Sequence, residues 1–175
     1  MYKTLIAVGA IAATVLTGCK NTPTPEGMYK TANAIGVSAG MVANASNIPD
    51  DTRTVVVDIV KEVDKCIPQT NQTFEAAWTP VAESHVDKLV ADGKLTNDNK
   101  GLVLKTFNIA VCGIDYIFNA RYPEARQYQD VVESAVHGFT EGFLAVFKTT
   151  TTLSASQKVE FDSQAFEYLK TKTQK

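Results

Sequence analysis

The chain is poor in the residues that build reactive centres. It holds three cysteines, two histidines and one tryptophan among 175 residues. No Cys-x-x-Cys occurs, so a dithiol redox pair or a cysteine-rich zinc site lacks its usual spacing. No His-Glu-x-x-His or Glu-x-x-His pattern is present either. No glycine-rich loop runs into Lys-Ser or Lys-Thr, which leaves nothing to cradle the phosphates of a nucleotide. Basic residues form no block. The 17 Lys and Arg stand against 19 Asp and Glu, a formal charge of −2, which points away from nucleic acid and from electrostatic adhesion to anionic lipid. Sustained alternation at period 2 is missing as well. Val55-Val56-Val57 alone suits a strand, and its neighbours continue at helical spacing. There is no internal repeat, and no cofactor or metal is implied.

Helical periodicity is what the chain has instead. From Met28 to Asn47, Tyr29, Ala32, Ile35, Ala39 and Val42 fall on one side, which predicts a helix with a thin apolar face stopped by Pro49. Asp50 is a plausible N-cap for a second helix with Val56, Ile59, Val60, Val63 and Ile67, ending at Pro68. Thr70 or Asn71 opens a third, with Phe74, Trp78, Val81, His85 and Leu89 along its stripe, and Pro80 kinks or splits it. A fourth, capped near Thr96 and running to about Arg121, has the broadest apolar face and is expected to be central. Pro123 suits the first position of a fifth, whose face carries Phe139, Phe143 and Phe147. Ser154 with Gln157 forms a capping box for a sixth, and the tail from Lys170 reads as frayed. The expected fold is an all-α compact bundle of five or six helices over residues 28–175.

The first 19 residues follow a different logic. Lys3 and the amino terminus form a short positive region, and Leu5 to Val15 is an uncharged apolar run too short to span a bilayer. Leu16-Thr17-Gly18-Cys19 closes it. This tetrad resembles the lipobox of bacterial lipoproteins: a branched apolar residue, a small residue, glycine and cysteine. The resemblance covers residues 1–19 and implies a signal peptide over 1–18 and diacylglycerol on the Cys19 thiol. It further implies cleavage before Cys19 and acylation of the new amino terminus. An ordinary secretory signal or an uncleaved apolar helix is the alternative. Two or more acyl chains hold a protein firmly, at about 0.8 kcal/mol per buried methylene. Lys20, rather than Asp, follows Cys19. By resemblance to the enteric class, that implies a periplasm-facing outer-membrane anchor. Residues 19–27 then form the lipidated end and a tether. Pro23 and Pro25 keep Lys20 to Gly27 from packing, and the stretch reaches at most about 26 Å.

Cysteine usage fits an oxidising compartment. With Cys19 acylated, Cys66 and Cys112 remain as an even pair. A bond between them would contribute about 4 kcal/mol by loop-closure entropy. Two separate buried thiols are the alternative.

Three side chains are candidates for chemistry. Gly36-Val37-Ser38-Ala39-Gly40 matches G-x-S-x-G, but a nucleophile elbow needs a preceding strand, and none is expected here. The competing reading is two glycines one helical turn apart that let another backbone approach, and Gly138 and Gly142 repeat the spacing. His85 sits on an apolar stripe and reads as a hydrogen-bonded, half-buried imidazole. His137 shares a helix face with Glu133 and Glu141, a solvated or pH-sensitive cluster rather than a complete metal site. The leading expectation is therefore a non-enzymatic, lipid-anchored envelope protein that binds another protein or serves as a structural or assembly subunit. An inhibitor, immunity or phage- or plasmid-exclusion lipoprotein also fits the size and compartment. An unrecognised enzyme or small-ligand carrier is the third class.

Overall fold

The computed structural model describes residues 23–45, 48–69, 72–148 and 161–173. Among them the backbone forms six α-helices and no strand, so the protein is an all-α bundle. These are α1 (Pro25–Asn44), α2 (Asp50–Val63), α3 (Phe74–Ala91), α4 (Asn97–Tyr116), α5 (Gln129–Phe147) and α6 (Ser163–Thr173). A wide π turn, Ile117–Arg121, prolongs α4, and a 3-10 turn, Pro123–Gln127, leads into α5. The signal segment, Cys19, the first part of the tether and the Ser154–Gln157 capping box lie outside the described residues.

Local chemistry moves several helix ends away from their expected positions. Helix α1 begins earlier than Met28: Pro25 occupies its first turn and the Thr24 hydroxyl accepts the Gly27 N–H at 3.2 Å. Asp50 is the first helical residue of α2 rather than its cap, and the helix stops at Val63, well before Pro68. A turn follows, in which Lys65 and Cys66 donate to the Glu62 and Val63 carbonyls, and the Cys66 carbonyl accepts the indole N–H of Trp78 at 3.0 Å. Thr73 caps α3, accepting from Ala76 N–H at 3.1 Å. Pro80 does not split α3, since Pro80 and Ala76 are both exposed and the carbonyl deprived of its partner meets water. Helix α6 starts after Asp162, whose Oδ1 accepts the N–H groups of Gln164 and Ala165 at 3.0 Å each.

The core gathers around α4 and the aromatic face of α5. Val103, Phe107, Ala110 and Ile114 of α4 are buried, as are Phe139, Phe143 and Phe147 of α5. Trp78 is fully buried, edge-on to Phe74 at 5.1 Å between ring centroids, and its one polar atom is satisfied as burial requires. Asn97–Arg121 is long and apolar enough to cross a membrane, but more than half of its most apolar stretch is covered by the bundle. It packs as a core helix.

Among the described residues, α1 and α5 approach most closely. A methyl added at Gly40 would lie 2.8 Å from the carbonyl oxygen of Phe143. Methyls at Gly36, Gly138 and Gly142 would lie closer still to the carbonyls of Phe139, Tyr29 and Asn33. Only hydrogen fits at these four positions, so the two four-residue glycine spacings are the two halves of one helix contact. The paired residues rise together along both chains, so α1 and α5 run parallel. Asn33 Nδ2 donates to the Gly138 carbonyl at 3.2 Å and Asn44 Nδ2 to that of Val146 at 2.9 Å, tying the seam at two levels.

Candidate functional site

Ser38 is consumed by packing. It is fully buried in mid-helix, and its hydroxyl accepts the Asp162 N–H at 2.9 Å while facing the carbonyls of Asp162 and Ala34 at 2.9 and 3.0 Å. Asp162 also pairs through Oδ2 with Arg121 at 2.8 Å, both side chains being largely buried. Ser38 therefore docks the start of α6 against α1. No strand-to-helix elbow exists at this serine.

His85 is half-buried, with Nδ1 3.1 Å from Glu62 Oε2, and so ties α3 to α2. The Cys66–Cys112 bond expected from the cysteine count is not formed: both are free thiols, each half-buried. Cys66 lies in the turn after α2, its N–H on the Val63 carbonyl and its own carbonyl on the Trp78 indole. Cys112 has Asp115, Lys172 and Glu75 as charged neighbours, while the adjacent Gly113 is the residue that faces Phe139 and Ala39. Burial, reinforced by the Asp115 carboxylate, pushes the Cys112 thiol pKa above its ordinary value.

His137 has partners that its own helix does not reveal. Its Nδ1 faces Asp64 Oδ1, just past α2, at 3.0 Å, and Nε2 lies 3.8 Å from Glu133. The buried Thr140 hydroxyl donates to the same Asp64 oxygen. Glu141, on the same face, accepts the phenol O–H of Tyr29, which raises the phenol's pKa. Among the described residues, no group of three or more His, Cys, Asp or Glu is placed to hold a metal ion.

These contacts line an open groove of about 770 Å³ between the end of α2 and the outer face of α5. Lys61, Asp64 and Lys65 form one wall, and His137 and Thr140 one end. Half-buried Leu144 and exposed Ala145 make an apolar strip, and Lys148 stands at the far end. The volume is that of a ligand or side-chain pocket, and its lining mixes three lysines with the carboxylates of Asp64 and Glu141. The sequence does not reveal it because Asp64 and His137 lie 73 residues apart. The three lysines become neighbours only when α2 packs on α5. The one available signal was the i, i+4 spacing of Lys61 and Lys65.

Comparison with protein-family models, with curated proteins and with solved structures returned no match. The fold therefore stands on its own features: six helices among the described residues, with a lateral groove between α2 and α5.

Proposed function

We propose that the protein is a lipid-anchored protein of the bacterial envelope that works by binding another protein, without catalytic turnover. The anchor is Cys19, on the strength of the Leu16-Thr17-Gly18-Cys19 tetrad after an uncharged run, and Lys20 after it favours the periplasmic face of the outer membrane. The observation that carries the reading is how soon the bundle begins. Thr24 already caps α1, so the contour from Cys19 to the first helical turn is at most about 18 Å. An anchor so short holds the groove within a few nanometres of the lipid and raises its effective concentration toward neighbours in the same envelope. The commitment of Ser38 and His85 to helix docking supports a binding role over a chemical one.

Cys19→Ser tests the anchor. Wild type should be processed and recovered with membranes, while the variant stays as the uncleaved precursor and loses function with its helical content intact. Identical processing and fractionation of the two would overturn it.

A further inference from the structure

We propose that α6 is a strap across the side of the bundle, held at its start by Asp162, which opens as a unit while α1 to α5 stay folded. Helix α6 runs back along α4. Asp162 meets Arg121, Tyr168 stacks on Tyr116 at 4.8 Å between ring centroids, and Lys172 lies among the charged neighbours of Cys112. The strap also rests on α1, through Ser38 and the Ala34 carbonyl.

Its apolar hold is small. Among the described residues, the buried side chains of α6 are Ala165 and Leu169. Phe161 is 51% exposed and sits edge-on to half-buried Phe166, at 6.5 Å. These rings cover the outside of the bundle and fill none of its centre. Ordering the 11 residues of α6 costs backbone entropy at every position, so polar contacts must supply what apolar burial does not. They converge on Asp162. Its Oδ1 starts the helix by accepting from the Gln164 and Ala165 N–H groups, and its Oδ2 pairs with Arg121 at 2.8 Å. Its own N–H reaches Ser38 Oγ at 2.9 Å. One residue thus caps the helix and docks it.

The principal contacts of the remaining bundle do not pass through α6. The glycine seam joins α1 to α5, the buried Arg53 of α2 donates to the Phe147 carbonyl, and the rings of Phe74, Phe107 and Phe139 surround Trp78. A segment with so few buried apolar contacts opens at a lower free energy than the whole fold. Opening bares the Ser38 hydroxyl, the Arg121 guanidinium, the Tyr116 ring and the flank of Cys112.

Native-state hydrogen exchange of the protein purified from membranes in detergent tests the strap without a mutation. The amides of α6 should exchange together, through an opening less dependent on denaturant than that of α4 and α5. In a Cys66→Ser background, Asp162→Ala should speed both α6 exchange and Cys112 alkylation at least about tenfold, with Trp78 emission unchanged. Asp162→Asn, which keeps a capping oxygen and loses the ionic partner, should fall between. Glu167→Gln, exposed on α6, should leave both rates as they are. Exchange of α6 in step with α4 in the wild type would overturn the proposal. So would an Asp162→Ala variant whose Cys112 reacts no faster, or one that loses its Trp78 emission together with α6.

Discussion

Arg53 and Phe147 are joined twice: the guanidinium lies 4.9 Å from the centre of the Phe147 ring, and its Nη1 donates to the Phe147 carbonyl at 2.8 Å. The same Nη1 reaches the Asn44 side chain, at the end of α1. Two parallel helices bring two negative dipole ends together, and one buried cation, 8% exposed, sits where they converge. Its Nε lacks a hydrogen-bond partner, with only Asp50 nearby at 3.9 Å, so the site is held by the two Nη groups and the ring. Parallel packing of α1 on α5 thus has its charge compensation supplied by α2.

Replacing Arg53 by Leu should therefore cost about 2–4 kcal/mol, since a charged donor is lost and buried acceptors are left bare. Arg53→Lys, which cannot reach both ends, should fall between. Chemical denaturation of the two variants checks the order. A Leu variant as stable as wild type would show that the convergence of helix ends needs no cation.

The glycine seam makes a contrast within one residue type. Gly36→Ala forces a methyl into the Phe139 carbonyl and should destabilise by about 1–3 kcal/mol or more. Gly101→Ala, exposed in α4 with nothing within 4 Å of the new methyl, should stabilise by about 0.5–1 kcal/mol. Melting temperatures moving in opposite directions are the expected result, and equal shifts would refute the close contact.

Ser38→Ala should act on α6 before anything else. Without the hydroxyl the half-buried Asp162 N–H keeps only the Ala34 carbonyl, at 3.3 Å, a loss of about 0.5–1.5 kcal/mol. Hydrogen exchange should quicken at Asp162 and along α6 while α4 stays protected. Lost partner binding with α6 still protected would instead return Ser38 to chemistry.

Cys112 gives a pH test. Its folded thiol titrates above the ordinary cysteine value because burial and Asp115 disfavour the thiolate. In a Cys66→Ser background, native-state alkylation of Cys112 should lag behind an unstructured cysteine throughout the range where free thiols ionise, and approach it only at higher pH. The sign for stability follows: the folded state holds the proton longer, so this group's contribution weakens as pH rises past the unfolded value near 8.5. Alkylation as fast as that of the free amino acid at pH 8 would contradict the assignment.

The all-α architecture was legible because five long segments keep apolar residues at helical spacing, and the paired glycines were legible as points of close approach. That each pair approaches the other was not, because a glycine announces that some backbone comes near without saying whose. Helix ends erred where tertiary contacts intervene. The Cys66 carbonyl accepts from the Trp78 indole just past the early end of α2, and Asp50, expected as a cap, is the first helical residue of that helix. The disulfide expectation failed because an even cysteine count carries no geometry. Asp64 was unreadable as a partner for His137 because 73 residues separate them in the chain.

The lipid anchor is measured directly on the amino-terminal peptide of the protein recovered from membranes. Its mass should be that of a chain beginning at Cys19, increased by a thioether-linked diacylglycerol and, where the host completes the modification, by an amide-linked acyl chain. A peptide beginning elsewhere, or one beginning at Cys19 with an unmodified thiol, would contradict the claim that this helical bundle works at the membrane through a lipid.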